Sequence, residues 1–152
     1  MGKHYVIRDY KKSDYASLIN LWNRTGLNTP GRGDNETVIN RTLSMEAKLF
    51  ILVKNNGILV GSTWITTDGR RLYMHHFGIL PEYHGLGLGK MLLKRTLQYA
   101  KAKGMQIKLE VHRDNEIAKK MYLKAGFKYL GDYQIYIIRD TQAINIKDLF
   151  LS

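Results

Sequence analysis

The sequence predicts a mixed α/β fold, and three observations carry the prediction. Strand-like and helix-like runs alternate along the chain. Asn56-Gly57, set between two apolar runs, is the signature of a tight antiparallel hairpin. A strand-like run that stops at Pro81 opens into a glycine-rich turn and then a helical pattern. With 152 residues, 44% of them apolar and 24% charged, the chain suits one hydrophobic core rather than two. Residues 1–140 are expected to form that single domain, leaving 141–152 as a C-terminal tail that packs on the domain or on a partner subunit.

Tyr5 to Ile7 make a short apolar strand. Ser13-Asp14 can start a helix, after which Tyr15, Leu18, Ile19 and Trp22 recur at helical spacing and define one buried face. Gly26 to Asn35, with three glycines and Pro30, reads as a loop, and Val38, Ile39, Thr42 and Leu43 predict a second helix. Leu49 to Val53 and Ile58 to Ile65 are the arms of the hairpin. Thr67-Asp68-Gly69-Arg70 then turns the chain into a strand over Leu72 to Leu80. Leu88, Met91, Leu92, Thr96 and Tyr99 lie on a third helix that ends before Gly104. Ile107, Leu109 and Val111 alternate with Lys108, Glu110 and His112 as a strand whose apolar set faces the core. Ala118, Met121, Tyr122 and Ala125 mark a fourth helix, stopped by Gly126. Phe127 to Leu130 and Tyr133 to Ile138, around a Gly131-Asp132 turn, predict two more strands. The sum is six to seven strands and about four helices.

Composition narrows the chemistry. The chain has no cysteine, which excludes disulfides, a thiolate nucleophile, Fe–S clusters and the usual structural zinc sites, so catalysis must use oxygen or nitrogen groups. No His/Asp/Glu spacing suggests another metal site. No apolar run of about 18 residues points to a membrane span, and Met1 to Tyr5 lack the apolar stretch of a signal peptide, so a cytoplasmic protein is expected. The net charge of +11 attracts anions, but its lysines and arginines are scattered in pairs and form no block of five like charges.

The turn Gly85-Leu86-Gly87-Leu88-Gly89-Lys90 is the most specific signal. A P-loop would need a glycine where His84 stands and Ser or Thr where Met91 stands; a dinucleotide fingerprint would need a third glycine at Lys90 or Leu92. What remains is G-x-G-x-G-K at a strand-to-helix turn, where the backbone can present several N–H groups to an anion at the positive end of a helix.

Pro81 to Leu93, Leu109-Glu110-Val111 with Asn115, and Met121-Tyr122-Leu123-Lys124-Ala125-Gly126-Phe127 together resemble the acetyl-CoA-binding core of the GNAT N-acetyltransferase superfamily. The resemblance runs from about Leu72 to Gly131. The spacing of Leu-Glu-Val to Tyr-x-x-x-Gly-Phe is most similar to the branch that acetylates ribosomal-protein N-termini. The N-terminal half, with Leu21 to Arg24, Asp34 and Asp68-Gly69-Arg70, resembles a related bacterial branch. The family usually carries Gln or Arg at the position of His84; the turn contributes mainly backbone donors, so cofactor binding is expected to survive that departure.

The resemblance implies a twisted, mostly antiparallel sheet splayed between strands 4 and 5, and a co-substrate, acetyl-CoA, held without metal. Its pyrophosphate would sit on the amides of Leu86 to Lys90, with His84 and Gly85 at the edge of the cradle. Its pantetheine arm would run along Phe77-Gly78-Ile79 as an added strand, and the same amides would steady the thioester oxygen. Glu110 faces away from the core by strand alternation and resembles the family's general base, working through water. Tyr73, His75, His76 and His112 are rival bases, with His75 and His76 expected on opposite faces. By the same resemblance Tyr122 donates a proton, or a hydrogen bond, to departing CoA. Asn115 is either the N-cap of its helix or a pantetheine contact.

The expected activity is therefore transfer of an acetyl group from acetyl-CoA to a primary amine: a protein N-terminus, a lysine or a small-molecule amine. Two other classes compete. A GNAT-fold acyl-CoA-binding module that lost its chemistry is opposed by the presence of Glu110 and Tyr122. A basic nucleic-acid-associated protein is suggested by the charge and ten tyrosines but lacks a basic stripe or a recognised module, so nucleic acid is not the expected partner. Arg32, Arg70 and Arg71 hint at an anionic acceptor or flank, and a homodimer stays open.

Overall fold

The computed structural model describes residues 4–151. Its strands are β1 (Tyr5–Asp9), β2 (Lys48–Lys54), β3 (Leu59–Thr67), β4 (Leu72–Ile79) and β5 (Ile107–Leu109); its helices are α1 (Tyr15–Arg24), α2 (Glu36–Ser44), α3 (Leu88–Lys103) and α4 (Glu116–Lys124). The strands form one sheet in sequence order, antiparallel except for the parallel pair β4 and β5. The Asn-Gly signal lies where expected, in the turn from β2 to β3, with Gly57 at φ 89°.

Alternation along β2 separates two cores. Leu49, Ile51 and Val53 pack with Leu18, Leu21 and Trp22 of α1 and Ile39 of α2, while Phe50 and Leu52 pack with Leu88, Leu92 and Ala100 of α3 on the other face. A strand buried on both sides needs an apolar residue at nearly every position, which β2 has. A third cluster joins Met74 of β4, Leu93 of α3 and Tyr122 of α4. The fold is thus a mixed α/β layer with α1 and α2 on one face and α3 with α4 on the other.

Two departures from expectation matter. His75 and His76 lie on the same face, both packed on Trp64 at ring separations of 6.0 and 5.3 Å. The register between β3 and β4 slips between Ser62 and Trp64, and His76 takes a left-handed backbone at φ 48°. A bulge inserts one residue, so simple alternation fails there. Ser62 braces it: its hydroxyl accepts from Trp22 Nε1 at 2.9 Å and donates to the His76 carbonyl at 2.9 Å. The second departure is at the C-terminus. The strands expected at Phe127 to Leu130 and Tyr133 to Ile138 do not form; five strands are present among the described residues, and the chain beyond Phe127 is almost wholly exposed. Its alternating apolar residues suit a strand, but among the described residues no strand lies beside it.

Candidate active site

β4 and β5 pair only from Leu72 with Ile107 to Met74 with Leu109. Past that point the strands separate, so Phe77, Gly78 and Ile79 have no neighbour on the β5 side, which is the splay the sequence resemblance implies. One side of the opening is closed, because a Cβ on Gly78 would stand 2.8 Å from Leu27 Cδ1. At the head of the gap, Gly85 and Gly87 both have φ 78°, with Gly87 as the N-cap of α3. None of the amides from Gly85 to Lys90 finds an acceptor among the described residues. Six unpaired N–H groups at a helix start, reached through left-handed glycines, fit the pyrophosphate of acetyl-CoA. The side chains play other parts. Leu88 is buried, a Cβ at Gly89 would lie 3.7 Å from Met121 Sδ, and the His84 ring donates Nε2–H to the Ile79 carbonyl at 2.7 Å, tying the turn to the end of β4. Lys90 lines an apolar cleft of about 530 Å³ between α3 and α4.

Glu110 follows β5 directly and is exposed on the face opposite Leu109 and Val111, which belong to the third core. Tyr73 donates its hydroxyl to Glu110 Oε1. Burial first, then this bond to a carboxylate, pushes the Tyr73 phenol well above its usual range, so it stays a donor. The Tyr73 ring stacks on His75 at 4.6 Å, and His75 Nε2 meets Thr66 Oγ1 at 2.7 Å. Burial chiefly, with His76 beside it, lowers His75 to about 4, which leaves it neutral and weakly basic at neutral pH. His76 is buried against Trp22 at 4.4 Å; Asp34 Oδ2 approaches its Nε2 at 3.1 Å but off the N–H direction, and neither ring nitrogen is hydrogen-bonded. His112 lies in the exposed turn before α4, its Nδ1 accepting from the Asp114 amide at 3.2 Å. Of the candidate bases, Glu110 is the exposed carboxylate held by a side-chain donor from the neighbouring strand, Tyr73.

Beside Glu110, Thr66, Arg70, Arg71, Tyr73, His75 and Lys108 line a cleft of about 350 Å³. Asp68, which also lines it, accepts from the amides of Arg70 and Arg71 and so spends its charge on the turn. On the α3 and α4 face, Tyr122 is 8% exposed, with Phe77 and Phe127 edge-on at 6.0 and 5.7 Å. Burial raises its phenol to about 12. Asn115 is the N-cap of α4: its Oδ1 accepts from the Ala118 amide at 3.2 Å. Sequence reasoning missed the Tyr73 bond to Glu110 and the approach of Asp34 to His76. The first could have been found from Tyr73 and Glu110 sharing strand parity; the second joins a loop to a bulge and leaves no local trace.

A model of the acetyltransferase (GNAT) family matches residues 15–127, which spans everything from α1 to the end of α4. The chain belongs to the GNAT acetyltransferase family. It is accordingly an acyltransferase that uses acetyl-CoA as its acetyl donor. Among solved structures, an acetyltransferase from Streptococcus agalactiae superposes with a TM-score of 0.71 at 22% identity, covering 90% of this chain and 92% of that one. The ribosomal-protein-S18-alanine N-acetyltransferase of Escherichia coli gives 0.71 at 19% identity over 82% and 77% of the two chains. The glucosamine-6-phosphate N-acetyltransferase of Arabidopsis thaliana gives 0.66 at 16% identity over 90% and 97%. These likenesses are of fold. Among the described residues no group of three His, Asp or Glu side chains could hold a metal ion, and no helix is long and apolar enough to cross a membrane.

Proposed function

We propose that this acetyltransferase moves the acetyl group to a primary amine by direct attack on the thioester, in the cytoplasm. The observation that carries the reading is Glu110, held by Tyr73 on the open face where β4 and β5 part. Glu110 takes the ammonium proton through a water molecule; the freed nitrogen forms the C–N bond as the C–S bond breaks, the electron pair leaves on sulfur, and the surplus proton of the new amide nitrogen passes through water to the thiolate, giving the amide and free CoA thiol. The amides of Gly85 to Lys90 hold the pyrophosphate, and the edge of Phe77 to Ile79 guides the pantetheine. Tyr122 faces the leaving sulfur as a hydrogen-bond donor. Full proton transfer from a phenol at about 12 to a thiolate of ordinary basicity is uphill by about 5 kcal/mol. His84 braces the turn rather than touching the phosphates, and Asn115 acts as a cap.

Arg70, Arg71 and Lys108 in the cleft beside Glu110 favour an acceptor amine that also bears a carboxylate or phosphate. The decisive experiment is calorimetry with acetyl-CoA, followed by a panel of amines with and without acidic groups, read as free thiol. Binding without metal and thiol release with amines is expected. Acetyl-CoA that fails to bind, or binds and releases thiol with no amine, would overturn the reading.

A further inference from the structure

The sequence scatters its basic residues, and the fold gathers several of them in one place. Lys90, Lys94 and Lys101 of α3 and Lys124 of α4 stand exposed along the rim of the cleft of about 530 Å³ between the two helices, whose apolar lining is Leu93, Leu97, Met121 and Ala125. No carboxylate answers them. α3 contains no acidic residue, and the one acid of α4, Glu116, is taken by Lys119 at 2.8 Å. None of the rim lysines is ion-paired among the described residues. The remaining cations of α3 have other contacts: Arg95 lies over the Phe50 ring at 4.4 Å and Lys103 over the Tyr99 ring at 5.9 Å. We propose that this cleft is a docking groove for an acidic amphipathic helix of a partner protein, which sets its apolar face on Leu93, Leu97 and Met121 and its carboxylates on the rim lysines.

Charge and spacing together favour a helix over other anions. Lys90 and Lys94 are one turn apart, about 6 Å, and Lys101 follows after about 10.5 Å more. A helix lying along the groove rises by the same amount per residue, so glutamates four and seven residues apart on it meet the three lysines in register. About three turns cover the row. Leucines at every third and fourth position of such a helix meet Leu93 and Leu97, themselves one turn apart on α3. Met121, unbranched and flexible, adjusts to their shapes. Single-stranded nucleic acid would find the charge here but no ring to stack on, because no aromatic side chain lines the cleft. The groove starts at Lys90, just past the glycine turn, and runs along α3 away from it, whereas the cleft beside Glu110 lies on the opposite face of the sheet. A partner seated in the groove therefore leaves both substrates their sites.

The test reads binding to the full chain. A fluorescein-labelled synthetic peptide of about fourteen residues, four turns, built of leucine, alanine and glutamate with the leucines on one face, is titrated with the protein and followed by anisotropy. It should bind, more weakly as salt rises, and with the same affinity whether or not saturating acetyl-CoA is present. A scrambled peptide of the same composition, which has no apolar face, should bind about tenfold more weakly. Lys94→Glu with Lys101→Glu should also cost about tenfold. Lys12→Glu with Arg41→Glu, an equal change of charge on the side of α1 and α2, should cost little, and circular dichroism should be unchanged in both double variants. No binding at low salt, equal binding of the two peptides, an equal loss in the Lys12 and Arg41 variant, or displacement of the peptide by acetyl-CoA would each overturn the proposal. So would a single-stranded oligonucleotide that binds more tightly than the peptide and is lost with Lys94 and Lys101, because the groove would then be a phosphate site.

Discussion

In the proposed reaction Tyr122 and Glu110 divide the chemistry by environment. With its phenol raised to about 12 by burial, Tyr122 holds its proton through the pH range of any assay and contributes as a donor. Tyr122→Phe, which keeps the packing on Phe77 and Phe127, should leave stability and acetyl-CoA affinity nearly unchanged while turnover drops by about 10²-fold. An acetyl donor with a more acidic leaving group should recover much of that loss, and equal slowness with both donors would remove Tyr122 from the reaction. Glu110→Gln should cost about 10²- to 10⁴-fold, most at low pH where the amine is protonated and least at high pH. Tyr73→Phe frees the carboxylate from its one side-chain donor; a shifted pH profile of kcat, with KM for acetyl-CoA unchanged, is the expected signature of a positioning residue. A flat ratio to wild type at all pH values would give Tyr73 a purely structural part.

At the scale of elements, the turn before α3 is the most vulnerable. Gly87 caps the helix at φ 78°, where a side chain costs about 1 kcal/mol or more in backbone strain. Gly87→Ala should raise the KM for acetyl-CoA and lower Tm, whereas Gly89→Ala, with 3.7 Å of room before Met121, should be milder in both; the reverse ranking would place the phosphates elsewhere. The elements themselves were largely legible. Leu18 and Trp22 at helical spacing announced α1, the Asn-Gly turn announced the β2 and β3 hairpin, and a strand, glycines and a helix in succession announced the cradle. The bulge at His76 was not legible, because one inserted residue in β4 leaves no mark on composition and reverses the face of whatever follows. The segment Tyr133 to Ile138 reads as a strand in the sequence and forms none in the structure. Alternation describes one side of a pairing and is silent about the other.

At the scale of the whole molecule, acid should unfold the protein in two stages. His75 lies near 4 when folded and at about 6.5 when unfolded, so the unfolded chain takes up a proton that the folded one refuses. Stability is complete above about pH 6.5 and falls by as much as about 3 kcal/mol on the way to pH 4. Asp14 acts lower. Burial opposes its charge, but hydrogen bonds from Arg8 at 2.8 and 2.9 Å and from the Lys11 amide outweigh that and hold the carboxyl below its usual range. Its contribution persists above about pH 4 and disappears as the pH falls further. Urea unfolding at a series of pH values should lose the upper stage in His75→Gln and the lower in Asp14→Asn, and an unaltered pH slope in either variant would contradict the assignment. The indole pair has a separate consequence. Trp22 and Trp64 are the only two tryptophans in the chain, stacked 5.6 Å apart at 19°, and Trp64 touches His75 at the wall of the cleft beside Glu110. Tryptophan emission, excited selectively over that of the tyrosines, therefore arises from the face of the sheet that carries the cleft beside Glu110, while the glycine turn lies at the start of α3 on the other side. An acceptor that settles against His75 should change the fluorescence, and acetyl-CoA should leave it nearly dark, so the order in which the two substrates arrive can be followed by light alone, without a label.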